Sequence, residues 1–179
     1  MAHTGSTSAP YVSSVILSTN FGASFTTIYS LSTNNVTYPA ILGSWMNQDA
    51  SLIIAQIQGK LRKSTDYGAT WVDFYTYSTG QTRPFNIDIS YTGQYGFVGS
   101  LRTRDYFTTY DIPVSLNFQN TSSLSADGQF RVCGGKINVP AGEGKVFYSS
   151  NNGVSYTTVI PSAPIKATWN VACGKFTTS

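Results

Sequence analysis

Apolar and polar residues alternate along much of this chain with a period of two. Phe85-Asn86-Ile87-Asp88-Ile89-Ser90 and Lys145-Val146-Phe147-Tyr148-Ser149 are the clearest runs. Such alternation predicts strands with one buried and one wet face. Ser51-Leu52-Ile53-Ile54-Ala55-Gln56-Ile57 is more continuously apolar, which predicts a central strand buried on both faces. No stretch carries a 3.6-residue period long enough for a substantial helix. Ser90-Tyr91-Thr92-Gly93-Gln94-Tyr95 and Ser125-Ala126-Asp127-Gly128-Gln129-Phe130 share Ser-x-x-Gly-Gln-aromatic between apolar runs, and read as hairpin turns. Gly59-Lys60-Leu61-Arg62-Lys63-Ser64 is matched by Gly174-Lys175-Phe176-Thr177-Thr178-Ser179.

A longer unit recurs four times. Its best copy runs Ser64-Thr65-Asp66-Tyr67-Gly68-Ala69-Thr70-Trp71. Close copies place Ser18, Asn20, Gly22 and Phe25, and Ser149, Asn151, Gly153 and Tyr156, at the same positions. A worn copy keeps Thr103, Asp105 and Tyr110 but has Phe107 in place of the glycine. The copies begin at 18, 64, 103 and 149, in steps of 46, 39 and 46 (64−18, 103−64, 149−103). A mean period of about 44 is that of a four-stranded supersecondary unit. Asp or Asn at the third position accepts turn N–H groups. Gly at the fifth takes positive φ cheaply, hydroxyls at the first and seventh bond across the turn, and the aromatic at the eighth anchors the hairpin. Every step serves folding, so a structural role is expected for these residues.

The pattern resembles the Asp-box, or BNR, repeat, Ser-x-Asp-x-Gly-x-Thr-Trp. In that family it lies on the hairpin between the last two strands of a β-propeller blade, on the outer rim. The resemblance implies an all-β, propeller-like array of about four four-stranded antiparallel blades; pairing of N- and C-terminal strands would close it into a small ring, and the alternatives are several chains combining their blades or an open stack. Residues 1–9 then read as a flexible or pairing arm, and 10–179 as one domain. Tyr11 to Ile28 supplies two strands, Ser30 to Tyr38 a polar loop, Ala40 to Tyr75 a full blade and Thr82 to Pro113 a shorter one. Ser122 to Ile160 supplies a third blade with a Gly-rich insertion at 140–145, and Ile165 to Ser179 the first strands of another. Boxes and Ser-x-x-Gly-Gln-aromatic turns together also resemble the Asp-box proteins of large DNA viruses and phages.

Composition narrows the chemistry. Charged residues are only 11% of 179, and net charge is +3, too sparse for a nucleic-acid footprint. No nucleic-acid partner, membrane insertion, signal peptide, cofactor or metal is expected. The single histidine, His3, sits on a polar tail, which argues against a Ser-His-Asp triad. Cys133 and Cys173 sit at equivalent repeat positions and read as buried small residues, a disulfide being the lesser alternative. Asn35-Val36-Thr37 and Asn120-Thr121-Ser122 match the glycosylation sequon and matter only where glycosylation occurs. Sialidases, the familiar Asp-box enzymes, use three arginines, a Tyr/Glu pair and an Asp. They also tend to carry Arg-Ile-Pro; here Arg83-Pro84 lacks the isoleucine between, and Glu143 is the only glutamate. Asp88 and Asp111 are one carboxylate pair that a glycosidase could use, though nothing in the sequence places them together.

The candidate ligand residues are therefore Trp45, Trp169, Arg83, Arg102 and Arg104. The tryptophans would stack on sugars or fill space between blades. Arg102 and Arg104 lie on one strand face, and read first as a solvated face. The expected function is a non-enzymatic recognition or assembly module, associating with itself or with other structural proteins at a virion or extracellular surface. A glycan-binding lectin and a partial or degenerate sialidase-like hydrolase are the alternatives.

Overall fold

A computed structural model describes residues 2–5, 10–34, 41–77, 87–98, 101–112, 121–136 and 144–159. All regular structure among them is β. Two compact units divide the chain, Met1–Gln81 and Thr82–Ser179.

In the first unit, β1 (Ala2–Gly5), β2 (Tyr11–Leu17) and β3 (Thr26–Thr33) make a three-stranded antiparallel sheet. Ala2 pairs with Ile16 and Gly5 with Ser13, so this part of the N-terminal arm is a strand. β4 (Ile41–Met46), β5 (Ile53–Ile57), β6 (Lys60–Ser64) and β7 (Val72–Thr76) follow as a four-stranded meander. Every residue of β5 is buried, as its continuous apolar run predicts. The polar loop expected from Ser30 does not begin there. Ser30, Leu31, Ser32 and Thr33 complete β3, with Ser32 opposite Val12. Ser30 and Ser32 are the wet half of an alternation whose other half, Tyr29 and Leu31, packs inward.

The second unit holds β8 (Ile87–Ile89), β9 (Gly96–Val98) and β10 (Leu101–Thr103) in one sheet. A single bridge from Arg102 to Asp111 stands where a fourth strand would be. β11 (Thr121–Leu124), β12 (Arg131–Lys136), β13 (Gly144–Ser149) and β14 (Thr157–Val159) form the last four-stranded sheet. Among the described residues, two sheets thus reach the expected four strands and two have three. Ring closure by the chain ends would involve residues 160–179, outside the described residues.

Within each unit the sheets pack through apolar contacts. Val15 of β2 meets Ala55 and Ile57 of β5, with Ile28, Leu31 and Trp71 at the margin. Leu17, Ala50 and Ile53 continue that core. The box glycines sit at such contacts. A Cβ on Gly68 would lie 2.8 Å from the Ile28 Cβ of β3. On Gly153 it would lie 2.6 Å from the Phe97 ring of β9. Both glycines also have positive φ, +90° and +72°. At Gly22, with φ +86°, the nearest described atom is the Phe25 ring at 4.0 Å.

Gly68→Ala and Gly153→Ala should each cost roughly 2–5 kcal/mol, from left-handed backbone strain plus overpacking. Gly22→Ala should cost only the strain, about 1–2 kcal/mol. Urea denaturation of the three variants checks this. Equal losses would mean that the close approach of the neighbouring sheet contributes nothing.

Candidate functional site

The four boxes are the most regular polar constellation in the molecule, and their geometry repeats bond for bond. The first-position hydroxyl donates to the third-position side chain: Ser18 to Asn20 (3.0 Å), Ser64 to Asp66 (2.8 Å), Thr103 to Asp105 (3.0 Å) and Ser149 to Asn151 (2.9 Å). The same hydroxyl accepts the fifth-position N–H, from Gly22 (2.7 Å), Gly68 (2.8 Å), Phe107 (3.1 Å) and Gly153 (2.9 Å). The third-position oxygen accepts the seventh-position N–H, from Ser24, Thr70, Thr109 and Ser155, at 2.8–3.0 Å. The worn copy is structurally complete.

Its missing glycine is compensated. Phe107 adopts φ +58° itself and is fully buried. A Cβ on Gly96 would lie 2.5 Å from the Phe107 ring, so the empty volume has moved from the turn to β9. The fourth position is also left-handed in every copy, at Phe21, Tyr67, Tyr106 and Asn152, with φ between 55° and 59°.

Two chemical versions of the box occur. In the Asp copies the seventh residue is Thr, whose hydroxyl donates to the carboxylate: Thr70 to Asp66 and Thr109 to Asp105, both 2.6 Å. In the Asn copies it is Ser, and the amide donates instead: Asn20 to Ser24 (2.8 Å) and Asn151 to Ser155 (2.9 Å). Thr70, first through its hydroxyl, holds the Asp66 carboxyl below its ordinary value. Burial pushes Asp105 up. The hydrogen bonds from Thr109, Thr103 and Thr108 outweigh it and hold the group at about 2. Both carboxylates are therefore fixed as anions, unsuited to general-acid work.

The cationic candidates are spent on neighbours. Arg102 does not lie on a solvated face. It is 5% exposed, forms a fork on Asp111 at 2.8 and 2.6 Å, and donates to the Asn152 carbonyl at 3.1 Å. The Asp111 carboxylate and the Asn152 carbonyl fix it, because a buried guanidinium needs an anion and acceptors. Arg104, more exposed, reaches the same carboxylate at 3.5 Å. The Arg102 fork lowers the Asp111 pKa. Asp88 instead accepts a hydrogen bond from the Ser122 hydroxyl, so the two aspartates have separate partners. Lys60 and Arg62 meet on Asp73, and Arg62 also donates to the Tyr29 hydroxyl.

Arg131 is absent from the sequence-derived candidates. It is 2% exposed, lies 3.9 Å above the Phe97 ring and donates to the Tyr156 hydroxyl at 2.8 Å. Burial raises the Tyr156 pKa, against the opposing pull of Arg131. A charge inside Phe130-Arg131-Val132-Cys133, an otherwise apolar strand, was the available signal. Trp71 donates its indole N–H to the carbonyls of Ile28 and Gly68 and meets Tyr29 edge to face at 5.6 Å. Tyr156 is likewise part-buried, while Phe25 and Tyr110 remain 53% and 47% exposed. Trp45, in β4 opposite Ile54, is half-buried. Cys133 is buried against Phe147. Arg83, Glu143, Trp169, Cys173, Asn35 and Asn120 lie outside the described residues. Among the described residues no three His, Cys, Asp or Glu side chains cluster as metal ligands would.

No protein-family model matches the chain, and no curated protein is found similar to it. Solved structures do match. A GH74 enzyme of Niastella koreensis aligns with TM-score 0.58 at 16% identity, over 84% of this chain and 26% of that one. The GH74 xyloglucanase of Xanthomonas campestris aligns with TM-score 0.57 at 11% identity, over 90% and 28%. A nidogen/laminin complex gives 0.51 at 9% identity, over 87% and 60%. The chain therefore spans about a quarter of the length of the GH74 enzymes. At these identities the likeness shows the fold alone, and that fold is β-propeller-like.

A carboxyl whose folded pKa is depressed contributes stability that is present above its unfolded value, about 3.9, and lost as pH falls toward the folded one. Acidification from pH 5 through about 2, where Asp105 titrates, should thus lower the urea midpoint. Asp66→Asn with Asp105→Asn should flatten that fall while keeping the fold, since Asn already serves at two boxes. An unchanged acid profile in the double variant would remove the carboxylates from this role.

Proposed function

We propose that the chain is a non-enzymatic, propeller-type module for recognition or assembly, working as a virion-surface, capsid-associated or fibre-associated structural unit. The observation that carries this reading is the self-saturation of the box and arginine clusters. Their carboxylates are held as anions by turn donors and guanidinium groups, and the guanidinium groups are held by those carboxylates and by aromatic rings. A glycosidase instead needs one carboxyl raised toward neutrality beside a second one. Low charge and abundant Ser, Thr and Tyr suit a rigid, exposed unit. The likeness of its boxes to those of viral Asp-box proteins supports the same setting.

A lectin-like reading has one observation in its favour. Phe21, Tyr67 and Tyr106 occupy the same box position on three hairpin tips, and are 111%, 60% and 49% exposed. Flat exposed rings can stack on sugars.

Incubation with xyloglucan oligosaccharides and with a fluorogenic sialoside should give no turnover above buffer. A glycan array should retain none of the labelled protein. Turnover of either substrate would overturn the non-enzymatic reading, and selective retention of one glycan class would favour the lectin.

A further inference from the structure

The contact between the first two sheets has two halves. One is the box of the second sheet, with Gly68 and Trp71. The other is Ile28 on the last strand of the first sheet, close enough that a Cβ on Gly68 would lie 2.8 Å away. Trp71 closes over the contact by bonding the Ile28 carbonyl at 3.2 Å.

Each half recurs at an opposite end of the chain with its apolar surface exposed. Ile28 stands ten residues after Ser18, and Val159 ten after Ser149; by register Val159, opposite Val146, takes the place of Tyr29, opposite Val15, which packs on the same core as Ile28. Val159 ends β14, whose three residues are all exposed, and is itself 43% exposed. The box of the first sheet carries Gly22 and Phe25 where the second carries Gly68 and Trp71. Phe25 is 53% exposed and Phe21 beside it fully so. Gly22 has no described atom closer than the Phe25 ring to the position a Cβ would take.

We infer that the outer strand of the last sheet in one copy docks on the first-sheet box of a second copy, Val159 seating at Gly22 and Phe25 as Ile28 seats at Gly68 and Trp71. The inference rests on the assembly reading above and gives it a surface. The contact is heterologous, so it builds a closed ring or an open filament rather than a two-fold dimer. Phe25 has no indole N–H, so this contact lacks the Trp71-type hydrogen bond and is held by apolar burial.

Sedimentation velocity of the full chain, from low micromolar to near-millimolar, tests it. Wild type should form species larger than the monomer. Phe25→Asp and Val159→Asp should each sediment as monomers with thermal midpoints close to wild type. Mixed together, they should yield a species of two chains and nothing larger, because each retains one intact half. Should either fail to fold, Phe25→Ser and Val159→Ser replace them. A monomeric wild type would overturn this contact while leaving the non-enzymatic reading in place. Assembly that survives both substitutions, or variants that do not complement in the mixture, would overturn the contact while leaving self-association intact. Glycan turnover, by contrast, would overturn the functional reading whatever the assembly state.

Discussion

Two consecutive left-handed residues at each box tip are the constraint on which the sheets depend. For a side chain other than glycine each such residue costs about 1–2 kcal/mol, and Phe107 shows that even the fifth position can bear it. Three local hydrogen bonds offset the cost: fifth N–H to first hydroxyl, seventh N–H to third side chain, and first hydroxyl to third side chain. In the second unit the fourth-position N–H adds another. Tyr106 donates to the Gln94 carbonyl and Asn152 to the Gln129 carbonyl, at 3.2 and 3.0 Å. The two hairpins at one end of a sheet are thereby tied together, which explains why the box and the Ser-x-x-Gly-Gln-aromatic turn recur as a pair.

Tightness of the turn has a second consequence. It brings the fifth residue against the neighbouring sheet, where Gly68 and Gly153 leave no room for a methyl group. Close packing of this kind tolerates rearrangement of volume better than addition of it. Phe107 with Gly96 is such a rearrangement. Gly128, whose Cβ would lie 2.5 Å from Tyr95, shows the same device in the other family of hairpins. At Gly68, Gly128 and Gly153 adjacent sheets are thus keyed by one missing side chain facing one large one, whereas Phe107 and Gly96 face each other within one sheet.

The period, the box and the strand-rich character were legible because each leaves a local mark: a fixed spacing, an Asp or Asn, a glycine, an alternation of two. What was hidden depends on neighbours in space. Asn47-Gln48-Asp49-Ala50-Ser51-Leu52 is a third hairpin of the Ser-x-x-Gly-Gln-aromatic type. Leu52 N–H bonds the Asn47 side chain, and Ala50 takes φ +60°. Asn for Ser and Ala for Gly disguised it. Ser30 and Ser32 looked like loop because hydroxyls on a wet strand face and in a turn are the same letters. Arg102 looked solvated because Asp111 lies nine residues on and Asn152 fifty. Arg131 was hidden for the same reason, since Tyr156 is twenty-five residues away.

The charge arrangement bears on how such a molecule can make contacts. Lys60 and Arg62 converge on Asp73, and Arg102 and Arg104 on Asp111. Each carboxylate gathers two cations, which leaves one net positive charge on each cluster. What these hairpins offer to solvent is aromatic and hydroxyl surface, with Phe21, Tyr67, Tyr91 and Tyr106 among the most exposed. Such rings have few torsions to freeze on binding, so contact through them loses little entropy. Four of the exposed aromatics also sit in or beside tight turns whose backbone is already fixed by the bonds of the box or the paired hairpin. The same hydrogen bonds that fold each hairpin therefore hold its exposed rings in place. That coupling is why a repeat whose polar residues are taken up by one another can still present fixed aromatic rings to solvent.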